Sequence, residues 1–180
     1  MIQAETIEQS PKSASGDPYR VMVVDDSAVI RGFLSRWLDA EADIHVVAIA
    51  SNGAVALREF ERVRPELVIL DIEMPEMDGL TALPKLVSLD PDVQVIMAST
   101  LTRRNADVSL KALSMGAADY IAKPESTRVA DEKEIFQRGL VEKVRALGAT
   151  RRSRDRTAGK VVSRPAIVPQ QTARKTVPIT

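Results

Sequence analysis

Three aspartates and a lysine stand where short apolar runs end. "VMVVDD" closes on Asp25 and Asp26, "ELVILD" on Asp71 and "DYIAK" on Lys123, while "VQVIMAS" closes on the hydroxyl of Ser99. Two adjacent acids at the end of a buried strand repel one another unless a cation lies between them. Brought together, these side chains offer hard oxygen ligands and one ammonium. Such a set suits Mg²⁺ (or Mn²⁺), which takes oxygen donors, keeps several waters and is held by one or two carboxylates. A carboxylate nucleophile beside such an ion suits phosphoryl transfer, where the protein positions groups and neutralises charge. Asp71 is the best nucleophile because it stands alone at its run, whereas the Asp25/Asp26 pair is better placed to hold metal.

The elements that must position these residues are legible in the hydropathy pattern. The β-branched run from Tyr19 reads as a strand covered on both faces. Ser27 can cap a following helix whose apolar positions Val29, Ile30, Phe33, Leu34, Trp37 and Leu38 repeat at three and four residues as one buried stripe. Residues 44–50 form a second strand, and Asn52 caps a helix over 53–63 with Val55, Leu57 and Phe60 among its apolar positions. A third strand covers 66–71, and a helix over 79–89 contains Pro84, which predicts a kink or an early Pro-led start. The fourth strand (93–99), a helix over 103–116 closed by Gly116, and a fifth strand (119–123) follow. The last helix is expected over 131–147, burying Ile135, Phe136, Leu140, Val144 and Leu147, with Gly148 as its stop.

Strands alternating with helices across short connections imply a parallel sheet with helices on both faces. In such sheets ligands bind beyond the carboxyl ends of the strands, near the point where strand order reverses. That rule gathers Asp25, Asp26, Asp71, Ser99 and Lys123 around one shallow pocket.

Composition narrows the class. Without cysteine there is no disulfide, iron–sulfur cluster or Cys-ligated zinc, and the single histidine, His45, builds no multi-histidine site. His45 opens a strand and reads as a surface or edge imidazole. No apolar run approaches the ~20 residues of a membrane span, so a cytoplasmic protein is expected. The formal charge is zero, yet residues 1–150 carry 17 Lys+Arg against 24 Asp+Glu, and residues 151–180 carry 8 against 1. The basic tail has no aromatics for base stacking and reads as a solvated linker rather than a nucleic-acid arm, with docking on an acidic surface as the other reading. The organisation expected is a disordered extension (1–18), one folded domain (19–148) and a flexible basic tail (149–180).

The segments "VVDDS", "LDIEMPEMDG", "MAST" and "AADYIAKP" stand in the order and spacing of the two-component receiver domain, and the chain resembles that family over residues 20 to about 147. The resemblance implies a flavodoxin-like (CheY-like) doubly wound sheet of order 2-1-3-4-5, and an aspartate phosphorylated in the presence of Mg²⁺ by a histidine kinase or a small phosphodonor. By that resemblance Asp71 is the phosphoacceptor, Asp25 and Asp26 are metal-binding acids, and the backbone carbonyl of Glu73 is a further ligand. Ser99 is the hydroxyl on the phosphoryl group, with Thr100 as the alternative. Lys123 contacts the phosphate, Tyr120 is the switch aromatic, and Lys123–Pro124 is a cis peptide. Met74 and Met77 are read as packing of the loop after Asp71, with Phe33 and Trp37 in the core.

"MASTLTRRNADVSLKALSMGAADYIAKP", "DGLTALPKLV" and "VEKVRALG" are similar to CheB receivers of chemotaxis, which are joined to a protein-glutamate methylesterase and served by a CheA-like kinase. The tail after residue 148 contains no histidine for a Ser-His-Asp triad, so no hydrolase activity is expected of this chain. It is either the regulatory half of such a protein or a stand-alone receiver acting as phosphate sink or adaptor. A haloacid-dehalogenase-type hydrolase is disfavoured because "DIE", not an Asp-x-Asp signature, begins at Asp71.

Overall fold

The computed structural model describes residues 16–100, 103–124 and 130–160. The expected disordered extension therefore falls largely outside the described residues, as does the tail beyond residue 160. The elements run β1 (Tyr19–Val24), α1 (Ala28–Asp39), β2 (Ile44–Ala50), α2 (Gly53–Val63), β3 (Leu67–Asp71), α3 (Gly79–Leu89), β4 (Gln94–Thr100), α4 (Arg103–Ser114), β5 (Asp119–Lys123) and α5 (Ala130–Lys160). All five strands are parallel, in the order β2-β1-β3-β4-β5. The sequence order reverses between β1 and β3, which makes the carboxyl edge there the crevice of a doubly wound sheet.

Alternation along the strands divides the core in two. Met22, Val24, Val68, Leu70, Val95 and Met97 point to one face and pack with Phe60 of α2, Leu83 and Leu86 of α3 and Ala112 of α4. Val21, Val23, Leu67, Ile69, Ile96 and Ala98 point to the other, where Leu34 and Leu38 of α1 meet Phe136, Leu140, Val141 and Val144 of α5. A one-residue slip would exchange these sets, so the register is fixed by burial.

The caps read from sequence are present. Ser27 Oγ accepts from the Ile30 N–H and Asn52 Oδ1 from the Val55 N–H. Asp78 caps α3 in the same way, its carboxylate accepting from the Thr81 N–H at 2.7 Å. The helix starts at Gly79 and continues through Pro84 to Leu89, so the Pro-led start does not occur: a cap six residues before the proline fixes the beginning. Two positions assigned to buried stripes face solvent, Val29 (63% exposed) and Ile135 (69%). Beside each, the next residue, Ile30 or Phe136, packs on the core instead.

The largest departure is at the end of α5. Gly148 does not stop the helix, which runs on to Lys160. A Cβ at Gly148 would lie 2.4 Å from the Tyr19 ring, so the glycine serves close packing of α5 on β1 rather than termination. Beyond it Arg152 reaches both carboxylate oxygens of Glu66 at 2.6 and 2.8 Å, and Arg151 pairs with Asp90 at 2.7 Å. Residues 149–160, read from sequence as flexible tail, are thus the last three turns of a helix held to the fold.

Candidate functional site

The strand register brings the chemistry together. Val24 pairs with Leu70 and Asp71 with Ala98, while Ser99 and Thr100 pair with Ala122 and Lys123. Asp25, Asp71, Ser99 and Lys123 therefore share one carboxyl edge, and all four are buried. Asp26, next in the β1–α1 loop, is exposed. One ligand oxygen from each of Asp25, Asp26 and Asp71 lies within 4.8 Å of the others. Lys123 Nζ sits between two of these acids, 2.5 Å from Asp25 Oδ2 and 2.9 Å from Asp71 Oδ1.

Three carboxylates, two of them buried, against one buried ammonium leave a formal charge of about −2 at this edge, a cost that a divalent cation joining them would relieve. The donor set is all oxygen and wet on one side, as Mg²⁺ or Mn²⁺ requires, so the residues present fit the ion. Burial is the largest influence on the Asp71 carboxyl and pushes its pKa above the ordinary range; Lys123 opposes this, by charge and by hydrogen bond, and Asp25 reinforces it. Both bonds to Asp71 from the described residues, those of the Ile72 N–H (2.8 Å) and Lys123, fall on Oδ1.

The loop after Asp71 is tied in place. A Cβ on Gly79 would lie 2.0 Å from the Asp71 carbonyl, so only glycine permits this approach of α3 to the strand end. Asn52 Nδ2 donates to Glu76 Oε2 at 3.1 Å and the Gly53 N–H to the Met77 carbonyl at 2.9 Å. Glu76 holds φ at +64°, a left-handed conformation uncommon for a residue with a side chain. Met74 and Met77 pack on the core as expected. Glu73 lines the crevice.

Around this floor lies a cavity of about 470 Å³ whose other wall is Ile30, Phe33, Leu34, Trp37, Pro124 and Phe136. Phe33 stacks on Trp37 and Trp37 meets Phe136 edge-on, at centroid distances of 5.7 and 6.2 Å. Phe33, read from sequence as core, is a half-buried wall residue, while Trp37 both lines the wall and packs on the core as expected. The Tyr120 hydroxyl is 3.5 Å from the Ser99 carbonyl and its ring packs on the α2/α3/α4 face. Thr100 ends β4, and its side chain lies outside the described residues. His45 is exposed and pairs with Asp39 at 3.3 Å. The cis peptide expected at Lys123–Pro124 is absent: the bond is trans, the isomer an X–Pro amide favours by about 0.5–1 kcal/mol, and from it Lys123 already reaches both acids.

Sequence reasoning passed over Arg31, whose Nη1 donates to the Asp25 and Asp26 carbonyls at 2.6 and 3.0 Å. It also passed over Asn52 as more than a cap. Arg31 acts on backbone carbonyls and Asn52 on the Glu76 carboxylate across the loops, contacts with no periodic signature.

A doubly wound parallel sheet with three acids and a buried lysine at its carboxyl edge defines the class: a regulatory receiver domain. The chain belongs to the response regulator receiver domain family, which it matches over residues 21–133. Within that family it is a receiver of the CheB type, from chemotaxis two-component signalling. It is 35% identical to the response regulator domain of Thermotoga maritima CheB, with a TM-score of 0.65, covering 73% of this chain and 97% of that one. It is 52% identical over 161 residues to a protein-glutamate methylesterase/protein-glutamine glutaminase of Rhodopseudomonas palustris strain BisB5, covering 89% of this chain and 42% of the relative. A protein of the same description from Azospirillum brasilense is 55% identical over 150 residues, 83% of this chain and 38% of its own length. The chain spans about two-fifths of the length of these curated relatives. Among solved structures it is also similar to the CheX–CheY–BeF3–Mg²⁺ complex of Borrelia burgdorferi, at 29% identity and a TM-score of 0.59, covering 69% of this chain and 89% of that one. Among the described residues no helix is long and apolar enough to cross a membrane.

Proposed function

We propose that Asp71 is the phosphoacceptor of a histidine-kinase phosphorelay, and that its phosphorylation controls an effector of the methylesterase kind found in the longer relatives. The observation that carries this reading is the convergence of three carboxylate oxygens within 4.8 Å, with Lys123 between Asp25 and Asp71. Asp25, Asp26 and Asp71, with the Glu73 carbonyl, would hold Mg²⁺ or Mn²⁺, which when bound supplies charge neutralisation for the transferring phosphoryl. The similar CheX–CheY complex contains BeF3 and Mg²⁺, which supports this reading.

Asp71 Oδ2 attacks phosphorus in line, forming an acyl phosphate as the bond from phosphorus to the donor nitrogen, or to the acetate oxygen of acetyl phosphate, breaks. The leaving histidine or acetate carries away the bonding electrons, and no other reactant is required. Lys123 and Ser99 hold the oxygens of the transferred group, with Thr100 as the alternative hydroxyl. Ser99 lies in the strand whose carbonyl Tyr120 touches, so a pull on β4 toward the phosphoryl reaches the aromatic directly. The α4–β5–α5 face then shifts between two packings, the population moving by the differential affinity of the phosphoryl for them. The kinase is CheA-like in this reading, and the folded unit begins near residue 19.

Acetyl phosphate with MgCl₂ should load wild-type protein with one phosphoryl group. Asp71→Asn and wild type with excess chelator should both remain unloaded. Full incorporation in either would refute the assignment.

A further inference from the structure

Arg31 lies on the first turns of α1 and reaches back over the loop that carries the acid pair. Its Nη1 donates to the carbonyls of Asp25 (2.6 Å) and Asp26 (3.0 Å). Those carbonyls belong to the two peptide units on either side of the Asp26 Cα. The two acids are otherwise held very differently. Asp25 is fixed through its own side chain, by Lys123 at 2.5 Å and by the Ser27 N–H at 2.9 Å. The Asp26 carboxylate is exposed and takes no hydrogen bond or ion pair from the described residues, yet one of its oxygens lies within 4.8 Å of ligand atoms of Asp25 and Asp71. The backbone beneath Asp26 is what aims it.

We propose that Arg31 is a positioning residue for the divalent-cation site: by clamping both peptide units that flank Asp26 it sets the direction of that carboxylate. The proposal rests on the reading of the acid cluster as a metal site. It also has a sign that charge alone does not share. A guanidinium near a cation site repels the cation, so if Arg31 acted only as a charge, neutralising it would tighten metal binding. If it acts by placing Asp26, the same change weakens binding, and loss of an outer partner of a ligand commonly costs about 10–100-fold in metal affinity.

The test is titration of the 180-residue chain with MnCl₂, reading free Mn²⁺ by its electron paramagnetic resonance signal. Arg31→Gln should raise the Mn²⁺ Kd about ten-fold. Arg31→Lys, with its charge kept but without the Nη1 that reaches both carbonyls, should weaken binding in the same direction, and it carries the test should Arg31→Gln not fold. In an Asp26→Asn background the effect of Arg31→Gln should largely vanish, whereas an arginine that merely stabilised the fold would weaken both backgrounds alike. Affinity in Arg31→Gln equal to or tighter than wild type, wild-type affinity in Arg31→Lys, or an undiminished effect in the Asp26→Asn background would overturn the proposal. Absence of Mn²⁺ binding by wild type would instead overturn the metal-site reading itself.

Discussion

Replacing Arg152 by Met asks whether the last turns of α5 belong to the fold. The guanidinium spends its donors on Glu66 Oε1 and Oε2 (2.6 and 2.8 Å) and on the carbonyls of Asp17 and Pro18 (2.7 and 3.0 Å), and its Cζ stands 4.2 Å over the Tyr19 ring. The two side chains are 30% and 15% exposed, Arg152 first. Exposed pairs contribute about 0.2–1 kcal/mol and removing one partner of a buried pair costs about 3–5. This pair lies between, near 2 kcal/mol, and the cation–π contact adds about 0.5–1. At about 2–4 °C per kcal/mol for a chain of this size, Tm should fall by roughly 5–10 °C. Met keeps the aliphatic stem, so the loss reports the head group. Thermal unfolding followed by circular dichroism measures it, with exposed Arg154→Met as the control that should move Tm by about 1 °C or less. A cycle with Glu66→Gln should return a coupling near 1–2 kcal/mol. A Tm change in Arg152→Met no larger than that of the control would show that the helix beyond Gly148 is not anchored, and the boundary near residue 148 would stand.

The pH dependence of the same contact has a definite sign. Burial opposes ionisation of Glu66, but bonds from Arg152 and the Arg20 N–H outweigh it and hold the folded pKa below the ordinary 4.5. Asp43 is lowered likewise, first by the hydrogen bond from Arg145 and against the effect of burial, from an ordinary 3.8. Both contributions are complete above the unfolded pKa values and are lost as pH falls through the lower folded ones. Acid unfolding below pH about 4.5 should therefore be shallower in Arg152→Met than in wild type; parallel profiles would contradict the assignment. Asp71 has the opposite sign, its folded pKa being raised, so its charge costs stability at neutral pH and Asp71→Asn should raise Tm of the metal-free protein while abolishing phosphorylation; a lowered Tm would count against the burial argument. Gly148→Leu places side-chain atoms where the Tyr19 ring lies and should cost about 1–3 kcal/mol, read as a Tm drop of several degrees; an unchanged Tm would mean that α5 does not pack there.

How much of this was legible depended on the kind of contact. Period-two and period-3.6 patterns and two caps located the elements, and the rule for the carboxyl edge of parallel sheets assembled Asp25, Asp26, Asp71, Ser99 and Lys123, because strand ends are set by local hydropathy. Contacts between distant side chains were not legible. Gly148 looks like a helix stop until Tyr19, more than a hundred residues earlier, is seen against it, and the arginines after it look like a solvated run until Glu66 and Asp90 are placed opposite. The same holds for Phe33 and Trp37, whose spacing marks a packed face without saying that a cavity is walled by it as well. Arg31 was missed because its partners are carbonyls, which every residue has.

The chemical identity of the acceptor is open to direct measurement. After treatment with acetyl phosphate and MgCl₂, reduction with borohydride converts an aspartyl phosphate to homoserine, and peptide mass spectrometry reads its position. Homoserine at residue 71, dependent on the divalent ion and absent when it is chelated, is the predicted result. Homoserine at Asp25 or Asp26, or the same yield at residue 71 under chelator, would contradict a site in which three acids share the metal and Asp71 alone takes the phosphoryl.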